Sequence, residues 1–312
     1  MTSTIIKVAH LSKQFQSFKA VNDLSFTVHK GDVYGFLGQN GAGKSTSIRM
    51  LLTLIQPTSG TIEVFGYDLK HHRKEILRNT GAVIERPDLY KYLSAYETLQ
   101  LFAAMSGVKL TRQQYMDQLE LVGLAQRANS KVRTFSQGMK QRLGIAVALV
   151  HNPELIVLDE PTNGLDPQGI ADMRNLILML REKMKKTVLV SSHLLSEVEQ
   201  IANRMLIIDK GKKLVEGTVS ELFHPDDSVV LIETANQTAC EQLIRNSSYA
   251  AQLIGIDAVG IELKLRKEEV PVLTKMLVEN NISILGIHAR HTLEDYFLKI
   301  TTANQHVEPF KN

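Results

Sequence analysis

The stretch GQNGAGKST at residues 38–46 combines glycines, a lysine and two hydroxyls at the spacing of a phosphate-binding loop, G-x-x-x-x-G-K-S/T. Gly38, Gly41 and Gly43 carry no Cβ and are free to take positive φ. Successive backbone N–H groups can then curl inward as an anion nest at a helix N-terminus, with Gln39, Asn40 and Ala42 completing the loop. Lys44 would reach the β and γ phosphates of a nucleoside triphosphate as a point charge, and the Ser45 hydroxyl would hold a bridging Mg²⁺. Thr46 could donate to the α phosphate.

A second stretch supplies carboxylates. LIVLDE at 155–160 is an apolar run ending in Asp159 and Glu160. A buried strand would bring Asp159 beside the loop, where it would hold Mg²⁺ through a water. Glu160 would face the γ phosphate, placed to take a proton from the attacking water. Between these stretches lies FSQGMKQR at 135–142, where Gly138 permits an unusual turn at the start of an apolar helix. The Ser136 hydroxyl and free N–H groups would then face outward as a further anion site, flanked by Gln137. Two such sites are hard to bring to one phosphate within a single chain, but they meet if two copies pack head to tail.

These residues need a sheet to hold them. Alternation of apolar and polar residues predicts half-buried strands at 4–10 and 24–29, and residues 33–37 form the buried strand that feeds the loop. Phe15 and Phe18 fall in a polar connection, where an aromatic can stack on a purine or simply pack. Further strands are expected at 61–65 and 81–85. Helical spacing at 98–105, 112–122 and 138–150 marks an inserted helical subdomain, about 94–150. Strands at 155–158, 187–191, 205–208 and 213–215 then alternate with helices at 170–185 and 196–202, which describes a parallel α/β core. After the break at 224–227, the order strand 228–234, helix 238–246, strands 250–257 and 260–266, helix 270–280, strand 282–288 predicts a small α+β domain of ferredoxin-like type. The division is therefore 1–222 and 228–312.

At 312 residues, two domains are expected. The apolar share of 44% and the net charge of +3 describe an ordinary globular chain with no field to recruit nucleic acid. Basic runs at 70–78 and 181–186 read as solvated faces. The single cysteine, Cys240, cannot pair within the chain and fits a reducing, cytoplasmic setting. No stretch approaches the roughly 18–20 apolar residues that a membrane crossing needs. No base-reading Asn-Lys-x-Asp motif and no kinase signature set occurs.

Over residues 1–220 the chain resembles the nucleotide-binding subunits of ABC transporters, with five motifs in the family's order. Residues 38–46 resemble Walker A, 135–139 the signature sequence and 155–160 Walker B; Asn163-Gly164-Leu165-Asp166 is similar to the D-loop, and Ser191-Ser192-His193 to the switch. The resemblance implies a P-loop ATPase of ABC type in which two subunits, identical or not, sandwich two ATP molecules. Each ATP would sit between Walker A of one subunit and Ser136, Gln137 and Gly138 of the other. His193 would contact the γ phosphate, Asp166 would link the two sites, and Phe15 stands where the family has its adenine-stacking aromatic. Where the family usually has a Mg²⁺-touching glutamine, this chain has Glu85, whose carboxylate can serve the same cation.

Glu85, the wording FSQGMKQR and the string TLEDYFLKIT at 292–301 look like the bacitracin and lantibiotic resistance branch. That branch implies an exporter with a separate transmembrane permease, the ATPase lying on the cytoplasmic face of the membrane. The segment 86–96, with Tyr90, Tyr92 and Tyr96, would dock the permease or pack within the subdomain. The alternative is a soluble ABC ATPase without a membrane partner, although such relatives carry long coiled coils or fused ATPase units, and neither is present here.

Overall fold

A computed structural model of the chain describes residues 3–222, 228–256, 259–266 and 268–291. The break at 224–227, Asp257 and the 292–301 string lie outside the described residues. The chain divides into two compact units, residues 1–219 and 220–312.

The first unit begins with strands β1 (Thr4–Phe15) and β2 (Phe18–His29), a hairpin of two 12-residue strands. Phe15 and Phe18 face each other across its tip, so the polar connection expected to contain both shrinks to Gln16 and Ser17. Several register shifts interrupt the pairing and break the period-2 pattern, which explains why both strands read as much shorter in the sequence. β3 (Val33–Leu37) is wholly buried and leads to helix α1 (Lys44–Leu51). β4 (Ser59–Val64), β5 (Tyr67–Asp68), α2 (Arg73–Arg78) and β6 (Thr80–Val83) follow. Next come α3 (Ala95–Met105), α4 (Arg112–Leu121) and α5 (Gln137–Leu149). The series continues with β7 (Leu155–Asp159), α6 (Pro167–Glu182), β8 (Thr187–Ser192), α7 (Leu195–Ile201), β9 (Arg204–Asp209) and β10 (Lys212–Thr218).

The strands form two sheets. One has the order β10-β9-β3-β8-β7-β6 and is parallel except for β10. The other, β2-β1-β4-β5, is antiparallel, a separate layer that a purely parallel reading of the core does not anticipate. Ile48, Met50 and Leu51 of α1 share one buried cluster with Val8 and Phe26 of the antiparallel sheet and Phe36 of the parallel one. A second cluster joins the helical segment to the parallel sheet through Leu99, Leu119, Leu143, Ile145 and Ile156. Helix starts there are set by capping boxes, Ser94 with Glu97 and Thr111 with Gln114.

Three local expectations are corrected. Tyr96 is half-buried and packs edge-on against Tyr115 at 5.3 Å, so only Tyr90 and Tyr92 of the three tyrosines stand exposed. Lys186, at the end of a basic run, is buried and donates to Asn152 Oδ1 at 2.6 Å, where desolvation pushes its ammonium pKa below the ordinary value. Gly138 lies inside α5 and is not among the positive-φ residues, so it makes no unusual turn.

α8 (Val219–Leu222) precedes the second unit's β11 (Ser228–Thr234), α9 (Gln237–Arg245), β12 (Leu253–Ile256), β13 (Ile261–Lys264), α10 (Val270–Glu279) and β14 (Ile284–His291). Residues 250–252 form a short turn of helix where the sequence suggested strand. The sheet order β12-β13-β11-β14, antiparallel throughout, is the ferredoxin-like arrangement. Cys240 lies in this unit's core with Ile232, Leu263 and Leu273. Among the described residues, no helix is long and apolar enough to cross a membrane.

Candidate nucleotide site

The phosphate loop leaves β3 with Gly38, where an added Cβ would lie 2.6 Å from the Ile208 carbonyl oxygen. Close packing of the loop against β9, and not positive φ, is what demands glycine there. Gly43 caps α1 at φ 106° and offers no side-chain acceptor, so the first-turn N–H groups of this eight-residue helix are available to an anion. Lys44 opens the helix. Its Nζ, nearly buried, donates to the carbonyls of Gly38 at 2.6 Å and Gln39 at 3.3 Å, folding the loop around itself.

The ends of the parallel strands bring the carboxylates to this loop. Asp159 closes β7 and is fully buried, with Oδ1 accepting from Ser191 Oγ at 2.5 Å and Oδ2 without a partner. Glu160 follows at φ 50°, a left-handed conformation rare for a side chain of this kind. The kink turns its carboxylate back over the loop: Oε1 lies 3.0 Å from Lys44 Nζ and Oε2 lies 2.8 Å from His193 Nδ1. Lys44, Glu160 and His193 therefore form one chain of contacts.

The other residues named from the sequence fall into separate places. Ser136 caps α5 by accepting from Met139 N at 3.2 Å, and Asp166 caps α6 by accepting from Gly169 N at 3.0 Å. Both line one cleft with Gln137, Gly138 and Gly164, and the Gln137 side-chain amide donates to the Asn163 carbonyl at 3.4 Å. Phe15 stands half-exposed at the hairpin tip with Lys13 Nζ 4.9 Å from its ring centre. Glu85, also at positive φ, is exposed and paired with Arg49 of α1.

A divalent cation would find a suitable but incomplete set of ligands. The orphaned, buried Asp159 Oδ2 and the Ser45 hydroxyl on α1 are hard oxygen donors. No group of three or more His, Cys, Asp and Glu side chains placed to hold a metal ion occurs among the described residues, so phosphate oxygens and waters would complete the shell.

Two connections were not legible in the motifs themselves. Ser191 bridges Asp159 and Glu160, and Glu197 on α7 accepts from both Thr162 Oγ1 at 2.7 Å and Ser192 Oγ at 3.0 Å. Only the register that pairs Asp159 with Ser191 across β7 and β8 reveals the first.

A phosphate nest, a lysine and a strand-end carboxylate pair on a largely parallel sheet define a P-loop nucleotide triphosphatase. Comparison with known proteins narrows the class. A family model described as ABC transporter matches residues 21–163. The chain is 44% identical over 304 residues to the bacitracin transport ATP-binding protein BcrA of Bacillus licheniformis, covering 96% of this chain and 97% of that one. It is 41% identical over 212 residues to the lantibiotic transport ATP-binding protein SrtF of Streptococcus pyogenes, covering 68% and 90%. A solved ATP-binding subunit of an ABC transporter superposes with a TM-score of 0.62 at 30% identity, over 70% of this chain and 91% of that one. The chain belongs to the ATP-binding proteins of ABC transporters, and it is an ATPase.

Proposed function

We propose that the chain powers export of a peptide antibiotic or a similar compound, working as a pair of ATPase subunits on a separate membrane permease at the cytoplasmic face. The observation that carries the catalytic part is the shared position of Glu160 between Lys44 and His193 at the mouth of the phosphate loop. The transport part is supported by the relatives named for bacitracin and lantibiotic transport.

In this reading the triphosphate takes the loop N–H groups and draws Lys44 onto its β and γ oxygens, releasing Glu160. Glu160 then accepts a proton from the water that attacks the γ phosphorus as the bond to ADP breaks, while His193 holds the carboxylate and touches the departing phosphate. Bound Mg²⁺ would offset charge on the phosphate oxygens, held by Ser45 and Asp159 with Glu85 joining once it leaves Arg49. Phe15 would stack on the adenine. The cleft of Ser136, Gln137, Gly138 and Asp166 would close on the partner's nucleotide, and Tyr90 and Tyr92 would face the permease.

The test is Glu160→Gln in purified protein. It should bind ATP, accumulate as a nucleotide-bound dimer and hydrolyse ~10²- to 10⁴-fold more slowly. Unchanged turnover would remove Glu160 from its role, and failure of the native chain to co-purify with a multi-span membrane protein would remove the permease.

A further inference from the structure

Ser191 sits at the end of β8, directly opposite Asp159 in the parallel pairing with β7, and both side chains are fully buried. Its hydroxyl serves as donor and as acceptor at once. The proton goes to Asp159 Oδ1 at 2.5 Å, a length expected of a donor to an ionised carboxylate, and the Ser191 oxygen accepts from Glu160 N at 2.9 Å. One atom thus meets the side chain of one acidic residue and the backbone of the next.

Each contact has a consequence for geometry. With Oδ1 occupied, the buried Asp159 cannot rotate without breaking a charge-assisted bond, and Oδ2 is left as the oxygen without a partner. The second contact satisfies the N–H of a residue at φ 50°, a conformation that persists only where the surroundings enforce it. That conformation is what points Glu160 at Lys44 and His193. Among the described residues, no other hydrogen bond or ion pair holds the Asp159 carboxylate.

We propose that Ser191 is a positioning residue for ATP hydrolysis: its hydroxyl fixes which oxygen of Asp159 is presented to the cation and holds the turned backbone that aims Glu160. The proposal rests on the nucleotide-site reading above. It assigns Ser191 no contact with ATP, so its loss affects metal affinity and turnover while leaving metal-free nucleotide binding in place.

The experiment uses the full chain with Mn²⁺ as the metal probe, reading free Mn²⁺ by electron paramagnetic resonance in the presence of ADP. In Ser191→Ala the Mn²⁺ affinity should fall ~10- to 100-fold, as it does when outer-shell partners of metal ligands are removed. ADP affinity in EDTA should stay within about twofold, and kcat should fall with KM for ATP little changed. Ser191→Thr, which keeps the hydroxyl, should recover most of both; if the alanine variant is insoluble, Ser191→Cys, a weak donor of similar volume, is read in its place. An alanine variant that binds Mn²⁺ as the parent does, or a threonine variant equally impaired at an unchanged melting temperature, overturns the proposal. A parent that takes up no Mn²⁺ with ADP instead overturns the metal reading of the site itself, so the two failures are distinguishable.

Discussion

Lys44 Nζ lies 3.0 Å from Glu160 Oε1, with both side chains largely withdrawn from water. A triphosphate must therefore compete with Glu160 for this ammonium and must also tolerate a nearby negative charge. Replacing the carboxylate with an amide removes both penalties. Glu160→Gln should bind ATP roughly threefold to tenfold more tightly than the parent, the equivalent of about 1 kcal/mol. Lys44→Met should bind more weakly than either. Equilibrium titration with a fluorescent ATP analogue decides it, and equal affinity in parent and Glu160→Gln would show that the ion pair does not compete.

Two glycines in the motifs have opposite structural demands, and alanine separates them. Gly38→Ala drives a methyl against the Ile208 carbonyl and should cost ~1–3 kcal/mol, lowering the melting temperature. At Gly138, a methyl would meet only Leu165 Cδ2 at 3.7 Å inside a regular helix, so Gly138→Ala should hold or raise stability by about 0.5–1 kcal/mol. Because that methyl would narrow the cleft assigned to the partner's nucleotide, ATPase activity should fall by as much as ~10²-fold. Thermal melts beside hydrolysis rates test both halves.

The Arg49–Glu85 pair is exposed on both sides and ties α1 to the residue run after β6. Solvent screening limits such a pair, so Glu85→Gln should change stability by less than ~1 kcal/mol. If Glu85 leaves Arg49 to serve a cation, the same variant should need more Mg²⁺ for half-maximal hydrolysis. A Mg²⁺ titration that superposes on the parent's would dismiss Glu85 as a ligand.

His151 follows α5 with its ring partly buried, and Nδ1 has no partner. Desolvation lowers its pKa from 6.5, reinforced by the charge of Lys186 and opposed by the bond to the Thr80 carbonyl. The unfolded chain therefore binds this proton first as pH falls below about 6.5, and folding stability declines across that window until the folded histidine also titrates. His151→Gln should flatten the dependence of melting temperature on pH there; an identical slope in the variant would place the effect elsewhere.

How much of this was legible in the sequence depended on range. The phosphate loop and the carboxylate pair carry their chemistry in residue type and spacing, and a strand feeding a glycine-rich turn leaves little freedom, whereas His193 was singled out only through the family resemblance. The hairpin of β1 and β2 was under-read because its bulges interrupt alternation at the places where a strand is recognised. Gly138 misled because glycine signals backbone freedom in sequence, whereas here it lies unstrained within α5. The bonds that Ser191 and Glu197 make were silent for a different reason. The partners that tie them to β7 and the turn after it, Asp159, Glu160 and Thr162, lie 31 to 35 residues away, and only strand register and helix placement bring them together.

β3 lies between β8 and β9, pairing Val33 with Val188 and Tyr34 with Arg204. The strand that launches the phosphate loop thus finds both neighbours only after some 150 more residues have been made. During synthesis the chain cannot recognise ATP when its glycine loop emerges from the ribosome. It becomes competent only when β8 and β9 arrive, so ligand capture can reward nothing short of the nearly finished first unit.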